Sequence, residues 1–468
     1  QDRSDGVELA AAEKTTIAAR ERREQRMAPL SPKTTFVLFT LAFVVLVGPL
    51  TKSWVKSGFE SERGMRGRVI AIVKLEAVTL LLNLFIWQQM MQYFDGQRKG
   101  YGVDKTFKLR CSQSLLLVMS GAHSMYLFFY APSWLHGWSF EISNILGGVW
   151  TNLLGFVCGF FLVNCVSWAM QQWEPSRKAL LFLSRPKILN DLTFDRKFQI
   201  KTTVSIVLVM SLVMYYASDK ISVRHLSLPI RNLSTPSGMP LKLAVISDIH
   251  AGASVHEEQV SRMVDEVLQM PVDAVLIVGD LVDGTVDDIA PRLKSIWTLA
   301  SMKPTYFVTG NHDYYYYDVR AWLSLYEKKG IKVLHNNHVM LKGVCLAGTD
   351  DISAGKTGVP GHEINATLAI AGCPKDTTKI LLCHNPAGIL DFPKETLDQL
   401  DVVFSGHTHA GQFYTVAAAV YWMLPYFYGH YDIGTHGHLF VTAGTLYQGP
   451  PMKMVGASQI WMITLLPQ

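Results

Sequence analysis

The chain changes character once. From Thr34 to Tyr216, long apolar stretches are joined by short charged loops, whereas from about Lys242 onward the apolar runs are only five to eight residues long. A bilayer crossing takes roughly 20 mostly apolar residues, and five stretches reach that range: Thr34–Thr51, Ala77–Phe94, Ser112–Tyr130, Ile145–Met170 and Thr202–Tyr216. The second contains Asn83 and several Gln and the fifth is short, so a buried helix is the competing reading for either. Beyond a linker rich in Ser, Pro and Leu, strand and helix patterns alternate. Strands are expected near Leu243–Ser247, Asp273–Val278, Thr305–Val308, Val344–Ala347, Ile380–Cys383, Val402–Phe404, Leu439–Thr442 and Ile460–Leu465. Helices are expected near His256–Gln269, Ile289–Ala300, Val319–Lys329 and Ile364–Ala371. The organisation predicted is a polar tail over 1–33, a multi-pass α-helical membrane region of about five helices over 34–217, a linker over 218–241 and a globular domain over 242–468. Early alternation followed by a strand-rich end suggests a layered β-sandwich flanked by helices.

Lys and Arg concentrate on the cytoplasmic side of membrane helices. Five crossings with a cytoplasmic N-terminus put five basic residues from Arg20 on, five in Asp95–Cys111 and seven in Gln171–Lys201 inside. The opposite side then holds five in Lys52–Arg68, none in Ala131–Asn144 and three just after the fifth span. The globular domain is therefore predicted to be lumenal or extracellular. Two glycosylation acceptor patterns in that domain, Asn232-Leu-Ser234 and Asn365-Ala-Thr367, agree with this side. Of six cysteines, Cys158 and Cys165 lie in an expected span and Cys111 at a span end, which leaves Cys345, Cys373 and Cys383 in the globular part. An odd number cannot all pair internally, and the spacing does not read as a disulfide framework. A net charge of +5 is small for 468 residues and points to no nucleic-acid partner. The segment before Met27 is polar, lacks the apolar core of a signal peptide and reads as a solvated tail or frayed helix. The chain opens with Gln, which fits processing, and Met27 is a candidate natural start.

The chemistry lies in one ordered series: Asp248 and His250, Asp280, Asn311 and His312, His384, then His407 and His409. Each member follows an apolar strand-like run, so scattered positions are expected to converge outside the carboxyl ends of the strands, where open α/β sheets bind ligands. Carboxylate and amide oxygens with imidazole nitrogens suit Mn, Fe or Zn, and no Cys is needed, which excludes a structural zinc finger. Two metal ions about 3.5–4 Å apart act as a clamp on attacking and leaving oxygens. They require a shared carboxylate, and the lone Asp280 after Val-Gly is the natural bridge.

These motifs, Asp248-x-His250, Gly279-Asp280, Gly310-Asn311-His312-Asp313, His384 and Gly406-His407-Thr408-His409, resemble those of the calcineurin-like metallophosphoesterases. The resemblance runs from about Lys242 to the C-terminus. Within the superfamily it is similar to bacterial membrane-associated phosphoesterases that also carry an Asp-Asp pair and a His-Asn-Pro segment, here Asp350-Asp351 and His384-Asn385-Pro386. It implies an α/β metallophosphoesterase domain with a four-layer β-sandwich flanked by helices. It further implies two divalent metal ions, one held by Asp248, His250, Asp280 and His409, the other by Asp280, Asn311, His384 and His407. A hydroxide between them would attack phosphorus, and His312 would stabilise or protonate the departing oxygen. Protein serine/threonine phosphatases follow the second Asp with Asp-Arg-Gly and end the third block in Glu. Asp280-Leu-Val-Asp283-Gly284 lacks that Arg and the third block ends in Asp313. A phosphodiesterase or small-molecule phosphatase is therefore favoured over a protein phosphatase.

Any one of these histidines alone would be an ordinary surface or core residue; eight ordered positions carry the metal reading. Asp283 and Asp313 are expected either to orient ligands or to cap the following helix. Asp350 and Asp351 are expected to support the site by hydrogen bonds. His335, His338, His362, His436 and His438 have no motif support and read as ordinary surface residues. Tyr314 to Tyr317 offer amphipathic contact area beside a pocket or burial in the sheet interface. Val416 to Tyr428 reads either as a buried helix or as a lip touching the membrane, because Trp and Tyr favour the headgroup level. A lip of that kind would make the bilayer a partner and the substrate a lipid-linked phosphoester. His123, Asn152 and Asn164 inside the spans suit helix packing through hydrogen bonds better than a transport path. The competing functional reading is a membrane receptor or scaffold that uses the phosphoesterase fold without turnover.

Overall fold

A computed structural model describes residues 62–95, 105–129, 138–230, 238–252, 254–315 and 319–467, together with Leu233 and Thr235. Among the described residues six helices come first: α1 (Glu62–Asp95), α2 (Lys105–Phe129), α3 (Trp138–Gln171), α4 (Glu174–Leu183), α5 (Lys187–Phe194) and α6 (Arg196–Ser218). Among them α3 and α6 are long and apolar enough to cross a membrane. The expected span at Thr202–Tyr216, short by sequence, lies in the 23-residue α6. That at Ala77–Phe94 lies in α1, that at Ser112–Tyr130 lies in α2 up to Phe129, and Tyr130 and the span at Thr34–Thr51 fall outside the described residues.

The chain divides into two compact units. One comprises the described parts of Leu80–Gln97 and Val157–Thr202. In it Phe85 meets Phe161 edge-to-face at 5.2 Å, and Asn164 and Gln199 exchange two amide hydrogen bonds of 3.0 Å. The other includes the remaining helical segments and both sheets.

The first sheet has the order β1-β12-β2-β3-β4-β5, from β1 (Ser222–Ile230), β2 (Leu241–Ile246), β3 (Ala274–Val278), β4 (Thr305–Val308), β5 (Lys332–Val333) and β12 (Gln459–Pro467). The second has the order β10-β11-β9-β8-β7-β6, from β6 (Asn337–Leu341), β7 (Val344–Gly348), β8 (Lys379–Leu382), β9 (Val402–Ser405), β10 (Gly429–Ile433) and β11 (Gly437–Val441). Both are mixed. β12 runs antiparallel to β2, and the pairs β6–β7 and β10–β11 are antiparallel, while the remaining ladders are parallel.

Strand residues alternate between faces with a period of two. Leu243, Val245, Leu276 and Val278 point between the sheets against Leu346, Ile380, Leu382 and Phe404. Ala244, Ile246, Val275 and Ile277 face outward onto α7 (Glu257–Gln269), α8 (Lys294–Met302) and α9 (Val319–Lys328). Leu381, Val403, Leu439 and Val441 face the other side, under α10 (Ala366–Ile370). Because both faces of the central strands are covered, their apolar runs are continuous rather than alternating, as in other buried parallel strands. The result is the expected four-layer α/β arrangement.

Three expectations are corrected. The linker read over 218–241 contains β1, which pairs in parallel with β12 along nine residues. Its period was masked by Ser222, Arg224, His225, Ser227 and Pro229, tolerated because β1 is an edge strand. Cys345 on β7 and Cys373 after α10 form a disulfide, so two of the three globular cysteines pair and Cys383 stays buried and free. Neighbouring sequence positions could not show that 28 residues of chain return to the same point. Val416 to Tyr428 divides into α11 (Tyr414–Met423), which buries none of its side chains, and a packed segment from Tyr426 on.

Candidate metal centre

Five strand ends deliver the ordered series to one place. β2 leads into Asp248 and His250, β3 into Asp280, β4 into Asn311 and His312, β8 into His384, and β9 into His407 and His409. The carboxylate of Asp248 accepts the N–H of His407 at 2.9 and 3.2 Å and the hydroxyl of Ser247 at 2.6 Å, and His409 Nε2 lies 3.4 Å from its Oδ1. His250 Nε2 stands 3.0 Å from His409 Nε2 and 3.7 Å from Asp280 Oδ2. On the other side of Asp280, His384 Nε2 lies 3.1 Å from the same Oδ2, while its Nδ1 donates to the Val278 carbonyl at 2.7 Å. His407 Nδ1 donates to Asn311 Oδ1 at 2.8 Å. Asp280 therefore faces imidazoles from both halves of the series.

Close chain crossings explain the glycines of the motifs. A Cβ on Gly279 would stand 2.5 Å from His384 Nδ1, one on Gly310 would strike Asp280, and one on Gly406 would strike Ser247 and Asp248. The ligand-type residues themselves turn sharply: Asp248, His250, Asp280, His407 and His409 all have φ between 50° and 71°. Left-handed backbone costs about 1–2 kcal/mol for an L-residue, with Asp, Asn and His the most tolerant non-glycine types. Strain of this kind gathers at functional sites.

Charge is balanced by geometry. Burial opposes ionisation of Asp280, but His384, His312 and His250 outweigh it and hold the carboxyl well below its usual range. Burial disfavours the His384 imidazolium, and Asp280 and Asp248 overcome this and push it well above. Burial, His250 and Lys453 hold His409 well below. A positive charge between Asp280 and the imidazoles is thus strongly favoured, as a proton or as a metal ion. Buried His409 Nδ1 has no hydrogen-bond partner.

His312 is gripped from two sides. Its Nδ1 lies 2.6 Å from Asp283 Oδ1, and its Nε2 lies 2.7 Å from Gln448 Nε2. Burial lowers its pKa, and Asp283 and Asp280 reverse this, raising it to about 9. Asp283 also meets His250 Nδ1 at 3.2 Å, so it orients two members of the series. Asp313 does not cap a helix; it accepts the N–H groups of Gly310 at 2.7 Å, Asp280 at 3.0 Å and Leu281 at 3.2 Å and ties two motif loops together. Asp351 lies behind the site, with its N–H on Thr309 Oγ1 at 3.2 Å. Asp350 touches none of the series and instead joins His335 and His362, which are not ordinary surface residues.

Sequence reasoning missed Gln448, Gln412 and Lys453. Gln412 clasps the Gln448 backbone, donating to its carbonyl at 3.0 Å and accepting its N–H at 3.1 Å. Only its place at the end of Gly406-His-Thr-His-Ala-Gly-Gln412 could have flagged it. Lys453 is fully buried, donates to the carbonyls of Gly444 and Leu446, and is pulled down to about 7 by burial against the attraction of Asp248.

The family model for calcineurin-like phosphoesterase matches residues 241–411, the stretch holding all five motif loops. A Danio rerio protein named "Transmembrane protein with metallophosphoesterase domain" is 32% identical over 427 residues, covering 86% of this chain and 90% of its own length. The chain belongs to the calcineurin-like metallophosphoesterase family. It is accordingly a metal-dependent phosphoester hydrolase. A Bos taurus protein of the same description is 30% identical, covering 67% of this metallophosphoesterase and 73% of its own length. An uncharacterized metallophosphoesterase of Helicobacter pylori is 34% identical over 228 residues, covering 49% and 60% respectively. The family uses divalent metal ions, and two donor groups, Asp248–His250–His409 and Asp280–His384–His407, have ligand atoms within 4.8 Å of one another.

Proposed function

We propose that this metallophosphoesterase hydrolyses a lipid-linked phosphodiester with two divalent ions, manganese, iron or zinc, on the lumenal or extracellular side of a membrane it crosses several times. The observation that carries the two-ion reading is Asp280 Oδ2, 3.7 Å from His250 Nε2 and 3.1 Å from His384 Nε2. The donors fit such ions: oxygen and imidazole ligands, deeply buried, with a carboxylate common to both halves. One ion would be held by Asp248, His250, Asp280 and His409, the other by Asp280, Asn311, His384 and His407. When bound, divalent ions supply Lewis acidity at phosphoryl oxygens and a nucleophile from water at neutral pH. His312, kept protonated by Asp283, donates a proton from Nε2 to the leaving oxygen, giving up its contact with the Gln448 amide nitrogen as it does so. Asp313 keeps the loops of Asp280 and Asn311 in register through backbone N–H groups.

Support for a lipid comes from the loop that follows Gln448. Gln448 touches His312, and four residues on Met452 packs with Met214 of α6. A Cβ on Gly148 of α3 would lie 2.6 Å from Met452 Sδ and 3.1 Å from Pro450 Cβ, and one on Gly155 would lie 2.8 Å from Thr415 Cγ2. The site is thus one short loop from the two apolar helices, and α11 starts at the same place. The disulfide favours an oxidising compartment.

The test is hydrolysis of an aryl phosphodiester and an aryl phosphomonoester by the detergent-purified chain with added Mn²⁺, beside Asp280→Asn. Diester turnover lost in Asp280→Asn is the expected result. A monoester preference would remove the diesterase reading, and metal binding unaffected by Asp280→Asn would remove the shared carboxylate.

A further inference from the structure

A second metal-ligand cluster lies outside the series. His335 follows β5, Asp350 follows β7, and His362 precedes α10; their ligand atoms all lie within 4.8 Å of one another. His335 Nδ1 is 2.7 Å from Asp350 Oδ1, and His362 Nδ1 is 3.7 Å from Asp350 Oδ2. Asp350 is buried, His362 is buried, and the His335 side chain is 37% exposed, which leaves a path for an ion from solvent.

We propose that His335, Asp350 and His362 form a third metal site, for a zinc-like divalent ion, separate from the Asp280 centre. Two imidazoles and one carboxylate form the donor set of such ions. Tetrahedral ligands at about 2.0–2.1 Å from zinc stand about 3.3 Å apart, so the observed 2.7 and 3.7 Å need shifts of about half an ångström. Charge supports a cation here. Asp350 is a buried carboxylate, and among the described residues its only ion-pair partners are these two histidines. A buried carboxylate without a fixed cation is costly.

Neighbours already orient the ligands. Asn336 Nδ2 reaches Asp350 Oδ2 at 3.4 Å and donates to the Glu363 carbonyl at 2.7 Å, tying the loops of His335 and His362 together. Tyr314 OH lies 3.0 Å from His362 Nδ1 and 3.2 Å from Thr309 Oγ1. When that nitrogen turns to the ion, Tyr314 retains Thr309. The ion would thereby hold the loops of His335, Asp350 and His362 together, a structural role outside the proposed reaction.

The experiment is zinc stoichiometry of the full chain in detergent, saturated with Zn²⁺ and desalted, for wild type, His335→Ala, His362→Ala and Asp280→Asn. Each histidine variant is expected to bind one equivalent fewer than wild type, and Asp280→Asn to keep the equivalent that His335→Ala removes. Equal stoichiometry in wild type and His335→Ala overturns the site and leaves only an imidazolium–carboxylate pair. Should His362→Ala fail to fold, the half-exposed His335 carries the comparison. A wild type with one equivalent, absent in His335→Ala, would uphold this site while sinking the two-ion reading of the Asp280 centre.

Discussion

At the residue scale the site is built by backbone conformations that few residues tolerate. Five of the seven proposed metal ligands are left-handed, and the glycine before Asp280 is left-handed as well, with φ +79°. An alanine there would combine about 1–2 kcal/mol of backbone strain with about 1–3 kcal/mol of overpacking against His384. Gly279→Ala is expected to lower unfolding free energy by roughly 2–5 kcal/mol, read from the denaturant midpoint, and to weaken metal retention. A midpoint within error of wild type would mean that the β3 turn relaxes freely. The same scale explains why the motif was legible: Gly-Asp, Gly-Asn-His and Gly-His-Thr-His record crossings that admit no side chain. Gln448 was not legible, because a glutamine in a loop far along the chain becomes a partner of His312 only on folding.

Elements decide where the site faces. Eight expected strands fall on β2, β3, β4, β7, β8, β9, β11 and β12, since each is a short apolar run ending in turn residues. β1, β6 and β10 are edge strands rich in polar residues and carry no such signal. At the first residues of β2, Asp273 accepts the Lys242 N–H at 2.8 Å and pairs with Lys342 of the β6–β7 turn. Burial raises its pKa, but these partners prevail and lower it from 3.8. A depressed carboxylate contributes stability that is present above its unfolded pKa and lost as pH falls through the folded one. Asp273→Asn should therefore lower Tm slightly at pH 7, by the equivalent of under about 1 kcal/mol for an exposed pair, with the difference closing below pH 3.8. A difference unchanged in acid would assign the effect to packing. In α11, Trp422 is 85% exposed and Met423 79% exposed, whereas Tyr426 packs on Tyr431. Trp422→Ser with Met423→Ser is expected to spare turnover of a soluble aryl ester and reduce that of a vesicle-borne phosphoester several-fold. Equal losses on both substrates would exclude the membrane lip.

Across the whole molecule, covalent and apolar ties join distant parts. Cys345 and Cys373 close a loop of 28 residues across β7 and α10, a constraint worth about 3.6 kcal/mol on chain-entropy grounds. Cys373→Ser should lower the thermal midpoint, and reductant should bring wild type down to the same value; a wild-type midpoint indifferent to reductant would mean the thiols are free. If the domain is lumenal, the mature chain carries this bond in cells, which trapping of free thiols before lysis would read.

The sequence by itself determined the family, the order of the proposed ligands, the central strands and two apolar helices, because each is written in local runs and spacing. Tertiary structure alone decided the edge strands, the disulfide, the grip of Asp283 and Gln448 on His312, and the separation of Asp350 from Asp351 into different surroundings. Those depend on which segments meet after folding. Local hydrophobic pattern governs what an element is, and only packing governs what stands beside it.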